Sequence, residues 1–183
     1  MLGFLGRWTS DVVRLTLSLL LAILFMQLPA LTSDYTAALL QVANAARHDI
    51  DQRESSARAY YHFDASSDQA LIAALREKEP SNAATLDDSV RELHVLRAAY
   101  ERITSAPVLL QPPIALIDAT DDDHGYKRDI LRTALTTHEA QIALTSAAAI
   151  YGLAGLMIGS FLAHVLVSCG ARAAGSRRRV GYV

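Results

Sequence analysis

The chain has 183 residues, 51% hydrophobic and 20% charged, with a formal net charge of −2. A soluble globular chain usually carries slightly more charge, and here the apolar excess gathers in two blocks near the ends. That distribution argues against one large soluble core and for membrane spans. A single cysteine, Cys169, excludes an intramolecular disulfide.

Charge is uneven along the chain. Arg7 and Arg14 stand against Asp11 before the first apolar block, and Arg172, Arg177, Arg178 and Arg179 follow the second without an acid. Between them, residues 32–141 hold 11 Lys/Arg and 18 Asp/Glu. Basic residues beside spans favour the cytoplasmic side, so the flanks read as topology signals and not as a nucleic-acid site.

The first block, Val12 to Leu31, is uncharged and Leu-dominated from Leu15 to Met26. With its flanks it supplies the roughly 20 residues that a bilayer requires. Pro29 removes a backbone donor and is expected to kink or end the span. A cleaved signal peptide has similar parts, but the apolar stretch is long and Leu28-Pro29-Ala30 is a poor cleavage site, which favours a retained anchor.

The middle reads as helices. Leu39, Val42, Ala46, Ile50, Ala57 and Tyr60 or Tyr61 follow helical spacing, which predicts an amphipathic helix over Tyr35 to Tyr61. A shorter helix is expected over Asp68 to Glu79, stopped by Pro80. Thr85 and Asp88 resemble a capping box that starts a third helix. Leu86, Val90, Leu93, Leu96, Tyr100 and Ile103 form its stripe, and it ends near Ala106. The matching stripes predict an antiparallel coiled-coil-like hairpin of the first and third helices. Residues 107–125 read as irregular, with the proline-broken Val108 to Ile114 either covering the helices or lying on the membrane surface. A last helix begins near Tyr126 and can run directly into the second span.

The second block, Ile142 to Ser168, carries no formal charge. Ala148, Gly152, Gly155, Gly159 and Ala163 share one helical face. Gly155-xxx-Gly159 is a small-xxx-small motif that permits close backbone approach, and Ser18-xxx-Ala22 offers a partner face in the first span. The simpler expectation is that the two spans pack on each other; the sharper one is a docking face for another subunit.

The fold class is therefore an all-α membrane protein, with two transmembrane helices joined by an extracytoplasmic helical hairpin domain. Its expected parts are a cytoplasmic N-terminus (1–11), span one (12–31), a periplasmic helical domain (32–141), span two (142–168) and a basic cytoplasmic tail (169–183). In a bacterium this is a multi-pass protein of the inner membrane with both termini inside.

Chemical motifs are sparse. Asp118, Asp121, Asp122, Asp123 and His124 cluster before Gly125, but no register fits a calcium loop. Asp121, Asp123 and His124 are weak metal candidates, and solvated helix starts are the commoner meaning of such clusters. No two histidines stand four apart, so a one-face zinc pair is excluded. His164 is the only histidine in a span, which leaves a haem site within one copy short of a ligand. Asp49, Asp51 and Glu54 beside Arg47, Arg53 and Arg58 read as a solvated face with local ion pairs.

Two stretches carry a family resemblance. The first is Gln27-x-Pro29-x-Leu31-x-x-x-Tyr35-x-x-x-Leu39 at the exit of span one. The second is Leu144-Thr145-x-x-Ala148-x-x-x-Gly152-x-x-Gly155-x-x-x-Gly159 in span two. From the first span to about Val167 the chain resembles a family of small bacterial inner-membrane proteins, the domain of unknown function DUF2937. The family pattern often has Pro and Glu where this chain has Ala143 and Ala147. Losing the Pro favours a continuous helix into span two, and losing the Glu weakens a shared intramembrane acid. The resemblance implies architecture and no activity.

The expected function is a non-enzymatic scaffold or accessory subunit that docks on a larger membrane complex, without a cofactor. Its partners would be the lipid bilayer and other membrane subunits or copies of itself, with no nucleic acid and no identified small-molecule substrate. The alternatives are a self-associating envelope-organising protein and a metal- or cofactor-binding membrane protein.

Overall fold

A computed structural model describes residues 2–122, 125–139 and 145–179, with no strand among them. Ile142 to Leu144, Asp123 and His124 lie outside the described residues, as does the side chain of Cys169. The helices are α1 (Leu2–Met26), α2 (Leu28–Tyr61), α3 (Asp68–Lys78), α4 (Pro80–Thr104), α5 (Gln111–Thr120), α6 (Tyr126–Thr137) and α7 (Ser146–Arg179). They fall into two compact units. One joins residues 1–30 with 139–183, and the other is Leu31–His138.

The first unit is built on α1 and α7. Two helical stretches are long and apolar enough to cross a membrane, in the run that begins at Trp8 and in Ser146–Ser168. Only 17% and 22% of their most apolar windows are buried. A core helix of a soluble protein would be mostly buried; these two stretches instead leave most of their apolar surface uncovered within the chain. Leu15, Leu24, Leu153, Met157 and Phe161 all face outward. At Gln27 the ladder breaks, and its N–H reaches the Leu24 carbonyl at 3.2 Å. Pro29 explains the break, because its ring nitrogen cannot donate to the carbonyl four residues back.

Pro29 does not keep the next helix waiting, however. α2 begins at Leu28, seven residues ahead of the Tyr35 start read from periodicity. A proline in the first helical turn costs nothing, because that turn's N–H groups have no intrahelical acceptor. The same physics corrects two further expectations. Pro80 opens α4 as well as ending α3, so Thr85 lies inside the helix and its hydroxyl donates to the Asn82 carbonyl. Pro112 and Pro113 occupy the first turn of α5, so 111–120 is a helix where an irregular segment was expected.

The second unit packs rows from α2, α3, α4, α5 and α6 into one core. α2 contributes Tyr35, Leu39, Ala43, Ile50 and Ala57, all buried, while Val42 and Tyr60 point outward. α4 contributes Ala83, Leu86, Val90, Leu93, Leu96, Ala99 and Ile103. Ser67 caps α3, its side chain accepting from the Ala70 N–H at 3.2 Å. Gly125, at φ +84°, starts α6 in a conformation that a Cβ would strain. α6 ends at Thr137, and His138 is extended with ψ 120°. Thr145 then begins α7, accepting from the Ala148 N–H at 3.1 Å. The continuous helix expected from the missing Pro at Ala143 therefore does not form.

Candidate functional site

Three places in the two units carry unusual geometry. The first is the α1–α7 seam. Gly152, Gly155, Gly159, Ala148 and Ala163 are all buried on α7, as are Ser18 and Ala22 on α1. A Cβ on Gly155 would lie 2.5 Å from the Leu21 carbonyl oxygen and 3.0 Å from Ala22 Cα. On Gly159 it would lie 2.7 Å from Ser18 Cα. On Gly152 the nearest atoms, at 2.6 and 3.0 Å, belong to the Met26 side chain. At Gly155 and Gly159 backbone meets backbone, which only glycine permits. The small-residue face is thus occupied by α1, which corrects the sharper expectation that it docks another subunit. Ser18 directs its hydroxyl to the Arg14 carbonyl at 2.8 Å, keeping that polar group satisfied within α1.

On the outer surface of the same hairpin runs an open groove of about 650 Å³, lined by Leu15, Ser18, Leu156, Met157, Ser160, Phe161 and His164. Ser160 and His164 are one turn apart on α7, and both are exposed.

The second place lies in the helical unit. Asp118, 2% exposed, accepts from Arg102 Nη1 at 2.6 Å, and Lys127 Nζ stands 3.5 Å from the same oxygen. Lys127, 6% exposed, donates to the Asp121 carbonyl at 2.6 Å. Asp118 Oδ2 and the Tyr35 hydroxyl are buried without a hydrogen-bond partner among the described residues. Burial first, then the charges of Asp118 and Asp122, push the Tyr35 hydroxyl far above its ordinary value. Tyr35 is therefore a neutral phenol and no acid or base near pH 7. Periodicity could not find Asp118, because its segment reads as a proline-broken loop until α5 forms.

Of the acidic run that held the weak metal candidates, Asp121 and Asp122 are described, while Asp123 and His124 are not. Asp122 Oδ2 accepts from the Arg128 N–H at 2.9 Å, tying down the start of α6, and the Asp121 carbonyl takes Lys127. Among the described residues no group of three or more His, Cys, Asp or Glu side chains could hold a metal.

The third place is the charged face of α2. Arg47–Asp51, Arg53–Asp49 and Arg58–Glu54 pair at 2.8, 2.9 and 3.2 Å, each one turn apart. Two features depart from a purely solvated face. Arg47 also bridges to Asp68 of α3 at 3.0 Å, and the Glu54 side chain is only 3% exposed. Burial first, then the Asp68 charge, raise Glu54 above its ordinary value, with Arg58 opposing. A carboxyl that holds its proton more tightly when folded stabilises fully below its unfolded value, and that contribution is lost as pH climbs through the folded one. Relative to Glu54→Gln, wild type should therefore lose stability as pH rises from the ordinary carboxylate range toward neutrality. Denaturant unfolding at several pH values measures both, and parallel profiles would refute it.

A family model described as a protein of unknown function (DUF2937) matches residues 10–176. The chain belongs to this family. The match takes in most of both long apolar helices and the whole helical unit of this DUF2937 protein. The residues that carry the resemblance lie apart in role. Gln27 forms the turn between α1 and α2, Pro29 stands in the first turn of α2, and Tyr35 is fully buried in the helical unit. Ala147, where the family pattern often has Glu, is buried. No curated protein and no solved structure matches the chain.

Proposed function

We propose that this DUF2937 protein is a non-catalytic scaffold or accessory subunit of the bacterial inner membrane, docking on a larger membrane complex. In this reading α1 and α7 span the bilayer with both termini in the cytoplasm, and Leu31–His138 stands outside. There α4 packs chiefly on α3 and rows from α2 to α6 share one core, so the antiparallel pairing of α2 with α4 expected from their stripes is not the main contact. The basic flanks and the acidic middle support this orientation.

The observation that carries the docking is the groove beside Ser160 and His164. Polar side chains turned outward from a span are costly against acyl chains, and a neighbouring helix can supply hydrogen bonds. The groove already offers van der Waals surface from Leu15, Met157 and Phe161. A partner helix seated there would cover both.

Tagged full-length protein, extracted from native membranes in mild detergent, tests the reading by quantitative mass spectrometry. A membrane protein should co-enrich with wild type and be lost from Ser160→Phe and His164→Leu. Free monomer from wild type, or a partner retained by both variants, would overturn it. So would a homo-oligomer lost in the variants, which favours self-association. A reporter inserted beside Glu92 is expected to be active only outside the cytoplasm; activity inside overturns the orientation.

A further inference from the structure

The helical unit presents one surface that its own core does not explain. From Pro107 to Thr120 the only charged residue is Asp118, and it is buried. Around it the chain exposes Val108 (61%), Leu109 (42%), Leu110 (51%), Leu116 (61%) and Ile117 (66%). On α5, Ile117 lies opposite the buried Ala115 and Ala119, and Leu116 flanks them. α5 is thus amphipathic in an unusual sense, with its only charge inward and its large aliphatic side chains outward. Five such exposed residues within ten positions of the chain give an apolar patch of the kind that marks an interaction surface.

The position of this patch identifies its occupant. The chain enters the unit at Leu31 and leaves it at His138. His138 Nδ1 meets Asp34 Oδ2 at 2.6 Å, so entry and exit are side by side. α5 lies at that same end. Ala115 and Ala119 share the core with Tyr35 and Leu39, and the Asp118 charge acts on the Tyr35 hydroxyl. Arg102, at the last turn of α4, holds Asp118. The opposite end is marked by Tyr61, whose hydroxyl donates to Glu79 at the α3–α4 junction. Tyr60 is about 40 Å along α2 from Asp34 at 1.5 Å per residue. The uncharged patch therefore gathers at the end from which the chain continues into its two apolar stretches.

We infer that the segment Val108–Ile117 is a membrane-surface platform, with Leu109, Leu110, Leu116 and Ile117 resting in the interfacial layer of the lipid bilayer. The inference rests on the reading of α1 and α7 as spans, and not on the docking partner. A surface helix that buries its apolar side in the headgroup region gains burial without crossing the bilayer. Asp118, turned inward onto Arg102 and Lys127, keeps its charge out of that layer. The platform supplements the two covalent connections in holding the helical unit at the membrane.

Tryptophan fluorescence of the full-length protein in lipid nanodiscs tests the inference. Trp8 is first replaced in a Trp8→Phe background. Single tryptophans are then introduced as Leu116→Trp and Ile117→Trp, with Tyr60→Trp as the distal control and Phe161→Trp as the span control. All four positions are exposed, so the fold should tolerate them. In nanodiscs of phosphatidylcholine brominated near the headgroup end of the acyl chains, Leu116→Trp and Ile117→Trp should lose most of their emission. Tyr60→Trp should keep its own. If the span control, in deep-brominated lipid, is quenched and the two α5 positions are not, the platform is overturned and the spans stand. If the span control is not quenched, the span reading fails and takes the platform with it. Equal quenching at Tyr60→Trp would overturn the platform too, because the whole unit would then adsorb without preference.

Discussion

Gly155→Ala is expected to weaken the pairing of α1 with α7 by about 2 kcal/mol, the usual scale of overpacking a tight contact. The added methyl would lie 2.5 Å from the Leu21 carbonyl oxygen and 2.9 Å from Phe25 Cβ. Neither can be cleared by rotating a side chain, because a carbonyl and a Cβ move only with the helix. The spans must separate, and the dispersion gained along the seam falls for every neighbouring pair. Gly159→Ala should cost as much, since Ser18 Cα stands 2.7 Å away. Gly152→Ala is the informative contrast. Its clash is with the flexible end of Met26, and a side-chain adjustment costs no more than about 1 kcal/mol. The better helix propensity of alanine offsets part of that. Steric-trap unfolding of the full-length protein in bicelles would rank the three. Equal losses at Gly152 and Gly155 would show that the seam is not limited by backbone contact.

Asp118→Ala should be the most damaging single change in the helical unit, costing about 3 kcal/mol, as breaking a buried ion pair does. The reason is what remains. The Lys127 side chain is 7% exposed and would be left, among the described residues, with only the Asp121 carbonyl to receive it. Arg102 is a different partner, with a side chain 57% exposed that can turn to water. Arg102→Ala should therefore cost less than about 1 kcal/mol despite its shorter contact. Asp118→Leu combined with Lys127→Met removes both buried charges together and should recover most of the stability, since apolar replacements of buried pairs are often neutral. Denaturant unfolding followed by circular dichroism gives all three values. A double variant as unstable as Asp118→Ala would mean that the loss comes from shape and not from the stranded charge.

Much of the architecture was legible in the residues. Val12 to Leu31 and Ile142 to Ser168 announce themselves because hydropathy is a sum over neighbours, and α1 and α7 follow. The stripe Leu86, Val90, Leu93, Leu96, Ile103 is buried on α4, since an amphipathic face repeats along its own helix. Prolines are only half legible from sequence. Pro29 and Pro80 do follow the ends of α1 and α3, as their missing donors predict, but they and Pro112 and Pro113 also stand in the first turn of the next helix, where the missing donor has no partner to lose. A proline says that a helix boundary is near; it does not say on which side the helix lies. With α5 unread, its inward Asp118 and outward Leu116 and Ile117 were unreadable too.

Local order along the chain was enough to specify two apolar stretches, a break at Gln27, and a row of small residues at one-turn spacing. Each depends on residues a few positions apart, and the backbone imposes that spacing. Which surface covers the small row, whether Glu54 and Asp118 are buried, and that Asp34 meets His138 were settled by packing alone. Those facts depend on residues 16 to 142 positions apart in the chain being brought within a few ångströms. No periodicity can encode such a meeting, because its energy exists only once both partners have left water.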